Sequence, residues 1–250
     1  MVTQTVDQVQ AILAERFHIS GDVHIDPVTL VVDVHGGVRM KSYAHEFGVQ
    51  FGEVYGDFFC YNMTLKSLVG APRRVGRDFN CESNLLTSLA HAPVHVTGSF
   101  SCAFNTNLNT LAHTPSYVGA NFNCAKCQII SLEGVPDTID GWFDCAHNKL
   151  TTLAHAPKQV TDLFDCSNNP LTSMQGAPNN MGSIELTYDT HLPLLRCLHA
   201  QLGINFIGGD TYPPREVQNL LERYMGSDRA GMLKCAGEMI RAGFKENARW

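Results

Sequence analysis

The chain has 250 residues, 44% of them apolar, and a formal net charge of −6, enough for one elongated domain with covered ends. Residues 1–190 hold 10 basic and 18 acidic groups and residues 191–250 hold 8 and 6, a balance that disfavours a bulk nucleic-acid binder. No apolar run is long enough to cross a bilayer, and the opening MVTQTVDQVQ lacks the basic and apolar regions of a secretion signal.

Residues 3–17 place Val6, Val9, Ile12, Leu13 and Phe17 at helical spacing, with Thr3 or Thr5 as N-cap. The stretch DVHIDPVTLVVDVHGG predicts two short strands with a turn at Asp26-Pro27. Residues 38–54 then read as a degenerate first copy of the repeat that follows. Residues 1–53 make up an expected N-terminal α/β cap.

From here a fixed period takes over. Cys60, Cys81, Cys102, Cys124, Cys145 and Cys166 are separated by 21, 21, 22, 21 and 21 residues. Such a period is the mark of a stacked repeat. A phenylalanine stands two residues before each cysteine, at Phe58, Phe79, Phe100, Phe122, Phe143 and Phe164. The third position after the cysteine holds Met63, Asn84, Asn105, Cys127, Asn148 and Asn169. Aliphatic residues, a proline and a further aliphatic residue or Met complete the pattern F-x-C-x-x-N-x-L-x-x-L-x-G-A-P-x-x-V. The third copy is one residue longer, with the insertion in 104–107.

Phe-x-Cys alternates as a short strand, so both side chains face one core. Stacked copies make a parallel sheet with strands about 4.8 Å apart. Asn, both donor and acceptor, can bond the backbone of neighbouring coils. Leucines close the core from the opposite side, and proline stops the chain continuing as helix. The period leaves no room for a full helix there, so that side is expected to be extended or turn-like.

After Pro178 the pattern decays into GSIELTYD, expected as the last strand, with helices over about 190–202, 214–225 and 228–244. Pro213 and Pro214 suit a helix start. In the last helix Leu233, Ala236, Ile240 and Phe244 form an apolar stripe, read as a capping face, with Lys234, Arg241 and Lys245 on another side. Residues 185–250 are thus an expected helical cap on a solenoid spanning 54–184.

The repeat resembles the leucine-rich repeat, with Phe and Cys in two of its Leu positions, and its spacing resembles the short type found in secreted effectors of enteric pathogens. It more closely resembles bacteriophage proteins built on repeats like NKLTTLAHAPKQVTDLFDC with a tail like GMLKCAGEMIRAGFKENARW. The fold this implies is a leucine-rich-repeat solenoid: a parallel β-sheet horseshoe with a non-helical convex side and both caps. The strand positions outside the core then line the concave face. Before Phe these are Asp57, Asp78, Ser99, Asn121, Trp142 and Leu163. Between Phe and Cys they are Phe59, Asn80, Ser101, Asn123, Asp144 and Asp165. After Cys they are Tyr61, Glu82, Ala103, Ala125, Ala146 and Ser167.

That set contains acids and no Lys or Arg, and aromatics stand near both ends. Aromatics ringed by polar groups are the composition of a protein-binding hot spot. The acids ask for a basic partner surface. The competing reading has the aromatics packed on the caps and the acids serving solubility. The expected binding residues are Asp57, Phe59, Tyr61, Asp78, Asn80, Glu82, Asn121, Asn123, Trp142, Asp144, Leu163 and Asp165.

Other chemistry is sparse. His91, His113 and His155 replace Gly in the GAP segment, and two histidines in adjacent coils fall short of a metal site. Cys124 and Cys127 form a C-x-x-C in which both occupy repeat slots, which favours packing over redox work. Cys197 and Cys235 in the tail are the candidates for a thiol enzyme, but the catalytic-cysteine ubiquitin-ligase domain that effectors with similar repeats can carry is too large for that tail. No nucleotide-binding or metalloprotease motif occurs. The nine cysteines, mostly in core slots, suit a reducing, cytoplasmic setting.

The expectation is a non-enzymatic protein-binding module, without metal or cofactor, that engages a host protein or neutralises a host defence. The host role follows from the phage resemblance. The alternatives are nucleic-acid binding through Arg229, Lys234, Arg241, Lys245 and Arg249, and a structural role in the virion. Neither the partner nor the oligomeric state is legible.

Overall fold

The computed structural model describes residues 4–250, which form two compact units, one ending at Cys127 and one beginning at Gln128. Both are β-solenoid units built on parallel strands. Thr3, one of the two expected caps of the first helix, lies outside the described residues.

The first unit opens with helix α1, Val6–Arg16. Thr5 caps it, accepting from the Gln8 amide while the Gln8 side chain accepts from the Thr5 amide, a capping box. Val9 and Leu13 are its buried residues. Phe17, expected as the last helical apolar residue, instead starts a strand, Phe17–Ile19. Its ring meets Phe51 edge-on at 5.2 Å, in a cluster with Phe47 and Phe58.

Each coil contributes two short strands separated by a bend. One ladder runs through Val38–Met40, Phe58–Phe59, Phe79–Asn80, Phe100–Ser101 and Phe122–Asn123, all parallel. The other runs through Val31–His35, Gln50–Val54, Arg74–Val75, His95–Val96 and Tyr117–Val118, also parallel. The degenerate copy at 38–54 therefore pairs as a true coil. Each ladder ends in an antiparallel strand. Phe17–Ile19 covers the first and Asp22–Ile25 the second, so neither parallel edge is left open at that end. At the bend between ladders a Cβ on Gly76 would lie 2.2 Å from the Tyr55 carbonyl oxygen of the coil before.

The repeat columns carry the packing. Phe58, Phe79, Phe100 and Phe122 are fully buried. Successive rings stack at 5.6 and 5.7 Å, nearly parallel, until Phe100–Phe122 tilts to 49°. That tilted step spans the longer coil. The asparagine column binds coil to coil. Asn84 Oδ1 accepts from the Met63 and Leu65 amides of the preceding coil, and its Nδ2 donates to the carbonyls of Cys60, Cys81 and Glu82. Asn105 repeats this toward Leu86, Cys81 and Cys102.

Cys127 holds the same slot with a thiol that donates weakly to the Cys102 carbonyl at 3.5 Å. The longer coil explains the exchange. With the inserted residue, Leu108 N–H turns back to the Asn105 carbonyl at 2.9 Å. It no longer needs the side-chain acceptor that an asparagine would bring. Asn105 keeps its place at the third position while Leu108 moves one step late, which narrows the insertion to 106–107.

The second unit continues the same chemistry. Thr138–Ile139 and Phe143–Asp144 both pair with one longer bent strand, Gln159–Asp165. Asn180–Leu186 and Ala200–Phe206 follow in parallel. Phe143 and Phe164 stack at 5.6 Å, and Asn148 and Asn169 bond the Ile129 and Leu150 amides.

Three sequence expectations change here. GSIELTYD forms a strand but not the last one. In place of a helix over 190–202 the chain makes a 3-10 turn, Leu195–His199, and then the strand Ala200–Phe206. The buried Leu192, Leu194, Leu195, Cys197 and Leu198 supply the apolar density that suggested a helix. Helices α2 (Arg215–Tyr224) and α3 (Arg229–Arg241) pack on each other and on that turn. Asp228 caps α3. The stripe read as its buried face is not buried: Leu233 is 55% and Ile240 54% exposed, and Met232, Cys235 and Met239 face inward instead. Asn247, buried, donates to the Leu192 carbonyl and accepts from the Leu194 amide, pinning the end of the chain.

Candidate functional site

Strand register sorts the expected binding residues into rows. In the first unit one row reads Arg39, Phe59, Asn80, Ser101, Asn123. Arg39, missed in the sequence because Val38 stands where later copies have Phe, brings a cation into this row. Its guanidinium lies 5.5 Å from the ring centres of both Phe59 and Tyr61, which are half-buried.

The polar groups of this unit are largely engaged with their own backbone. Asp57 Oδ1 accepts from the Asp78 amide, and Asp78 Oδ1 from the Ser99 amide, a ladder between coils. The Asn121 amide donates to Ser99 Oγ at 3.4 Å. Asn80 and Asn123 each accept from the amide two residues on, at Glu82 and Ala125. The Ser101 hydroxyl donates to Glu82. Arg77 approaches Asp57 at 3.9 Å.

In the second unit Asp144 Oδ1 and Asp165 Oδ1 likewise accept from the amides two residues on, at Ala146 and Ser167, at 2.9 Å. The central row of that unit is Asp144, Asp165, Glu185, Asn205 by register. Three carboxylates thus stand on consecutive strands about 4.8 Å apart. One step back from Phe143 and Phe164 are Trp142 and Leu163, followed by Ser183 and Gly203. No Lys or Arg occupies either row of the unit. Glu185 escaped the sequence reading because Ile184 and Leu186 replace the marker Phe and Cys of its coil. Burial first, and then the neighbouring Asp165 charge, hold the Glu185 carboxyl above the usual carboxylate range, while a hydrogen bond from Asn205 pulls the other way.

The five basic residues of the alternative reading, Arg229, Lys234, Arg241, Lys245 and Arg249, are all exposed. Arg249 is held by Glu246 at 3.2 Å and by the His191 carbonyl. Carboxylates interleave with them: Arg241 shares a cavity wall with Glu216 and Glu238.

His91, His113 and His155 are exposed with φ of 70°, 69° and 67°. Gly70, Gly134 and Gly176 hold the same slot at 96°, 105° and 88°, so the slot requires a left-handed backbone and favours glycine. Among the described residues no group of three His, Cys, Asp or Glu side chains is placed to hold a metal ion.

All nine cysteines are buried and free of disulfides. The thiols of Cys60, Cys81 and Cys166 donate to the carbonyl of the next coil. Burial pushes the Cys197 thiol up to about 12 and the Cys235 and Cys127 thiols up to about 11. At neutral pH these are thiols rather than thiolates, the wrong state for a nucleophile. Labelling of the native protein with a maleimide at pH 7.5 is therefore expected to modify fewer than about one thiol per chain within minutes. Nine are expected to react once the protein is unfolded. Rapid native labelling at Cys197 or Cys235 would reopen thiol chemistry.

No protein-family model, curated protein or solved structure matches this chain. Among the described residues no helix is long and apolar enough to cross a membrane.

Proposed function

We propose that the chain is a non-enzymatic protein-binding module of leucine-rich-repeat type, and that it takes a basic protein surface on the outward rows of its second unit. The observation that carries this reading is the line Asp144, Asp165, Glu185 beside Trp142 and Leu163. Like charges set opposite each other on neighbouring strands destabilise a sheet. A lysine- or arginine-rich partner offsets that cost on binding, and the adjacent large apolar side chains supply contact area. In the first unit the corresponding row, Arg39, Phe59, Asn80, Ser101 and Asn123, carries a cation and no carboxylate, so it offers a basic partner less. The repeat's resemblance to phage proteins makes a host factor or defence protein the partner class, met in the host cytoplasm.

The pH dependence follows from Glu185. Its folded-state value is raised, so the ionised form disfavours the folded state at neutral pH, and that penalty fades as pH falls through the raised value. A partner cation reverses the preference and favours the ionised form. Affinity is therefore expected to fall as pH drops through the Glu185 titration.

The test is capture of partners from bacterial lysate by the tagged chain, Trp142→Ala and Asp165→Lys, followed by binding assays with the purified partner. The expected result is loss of the same partner in both variants, by about tenfold or more in affinity. Undiminished binding in both rejects the reading, and binding of nucleic acid lost on mutating Lys234 and Arg241 replaces it.

A further inference from the structure

The sheet of the second unit ends on an open edge. Its last strand, Ala200–Phe206, pairs with Asn180–Leu186 on one side and with no strand of the described residues on the other. The register shift lies before Gly203, so Gly203–Phe206 is regular strand. The Ile207 amide donates to the Leu186 carbonyl, which places Gly203 and Asn205 on that same paired side. Alternate residues direct their backbone groups to opposite neighbours, so Ile204 and Phe206 turn N–H and C=O to the open edge. Both are only half-buried, whereas Ile184 and Leu186, one coil earlier, are fully buried. Leu202 is 78% exposed. Helix α2 packs beside the strand without pairing it.

Soluble proteins protect such an edge with lysine, with proline or with a covering element. The strand AQLGINF holds no charge and no proline. In the first unit the ladder begins under an antiparallel strand, Phe17–Ile19. The second unit has no equivalent among the described residues.

The charge pattern says what fits there. The outward row is acidic at Asp144, Asp165 and Glu185 and turns neutral at Asn205, on the edge strand itself. A two-fold axis at Asn205 would set the strand antiparallel to its own copy, with Ile204 opposite the other copy's Phe206. Such a pair exchanges N–H···O=C bonds in both directions. Asn205 then faces itself, with Cα atoms about 4.5 Å apart. A carboxylate at that point would meet a like charge and weaken the sheet. The row is neutral at the one position where a two-fold copy requires it, and one patch serves both subunits.

We propose that Ala200–Phe206 is a dimerisation edge, pairing antiparallel about Asn205 with the same strand of a second copy of this chain. The two sheets join into one, and Ile204 and Phe206 find in the other copy the neighbours that an ordinary coil would give them.

The test is light scattering of the full chain at about 50 µM, well above a micromolar dissociation constant. The wild type is expected at twice its 27.5 kDa chain mass. Asn205 is exposed, so Asn205→Asp is expected to keep the wild-type circular dichroism while weakening dimerisation by about fivefold or more. Salt at about 1 M is expected to restore part of that loss. Asn205→Cys adds an exposed thiol to a chain whose nine native cysteines are all buried, and mild oxidation is expected to link it to its copy. A monomeric wild type overturns the proposal and leaves the edge to a strand of another protein. A mass that keeps growing with concentration overturns it in favour of head-to-tail stacking. A dimer that Asn205→Asp leaves intact, or that Asn205→Cys fails to link, is built elsewhere on the molecule and overturns it too.

Discussion

Replacing Asn84 with leucine is expected to lower the unfolding free energy by about 4 kcal/mol, the sum of several groups each worth about 1–3 kcal/mol when buried and unsatisfied. Leucine keeps the branched outline of asparagine but is bulkier, so some overpacking adds to the lost hydrogen bonds. The amides of Met63 and Leu65 lose their acceptor, and the carbonyls of Cys60, Cys81 and Glu82 lose a donor. Leu65 is fully buried, so water cannot take over at its amide. Cys127→Ala is the matched comparison. Its slot serves no equivalent amide, because Leu108 is bonded within its own coil, and the expected loss is about 1 kcal/mol. Urea denaturation followed by circular dichroism measures both. Similar losses for the two variants would mean that the column fills space rather than satisfying backbone.

Phe79→Ala is expected to cost about 3–5 kcal/mol. The ring is fully buried between Phe58 at 5.6 Å and Phe100 at 5.7 Å. Removing it opens a gap in a continuous stack, and the flanking rings are held by their own strands and cannot close it. A stack of coils owes its cooperativity to contacts between neighbours. The variant is therefore expected to show a shallower urea transition as well as an earlier one. An unchanged slope with a loss below about 1 kcal/mol would mean that the coils are joined chiefly by backbone and asparagine.

The repeat region was legible because one side-chain requirement recurs at one spacing. Phenylalanine and cysteine alternate about a strand, and asparagine has the donors and acceptor that a coil junction needs. Departures from the pattern hid the rest. Arg39 follows Val38, and Glu185 lies between Ile184 and Leu186, so neither carries the marker that would have placed it in a row. The corner before the asparagine slot is left-handed at Asn62, Ser83, Phe104, Lys126, His147 and Asn168, with φ between 52° and 59°. No glycine signals it: at Asn62, Ser83, Phe104 and His147 the amide donates to a carbonyl of the next coil, which fixes the backbone against local preference. The strand Ala200–Phe206 depends on pairing with Asn180–Leu186, a long-range contact that apolar density alone cannot distinguish from helix. In α3 the inward face is Met232, Cys235 and Met239, offset by one residue from the Leu233 stripe, and only packing on the 3-10 turn and α2 decides between them.

Amide hydrogen exchange of the chain with and without its purified partner tests the binding surface most directly. The account predicts added protection in the three segments that carry the acidic row, 142–146, 163–167 and 183–187. Protection confined to 229–249, with those segments unchanged, would contradict it.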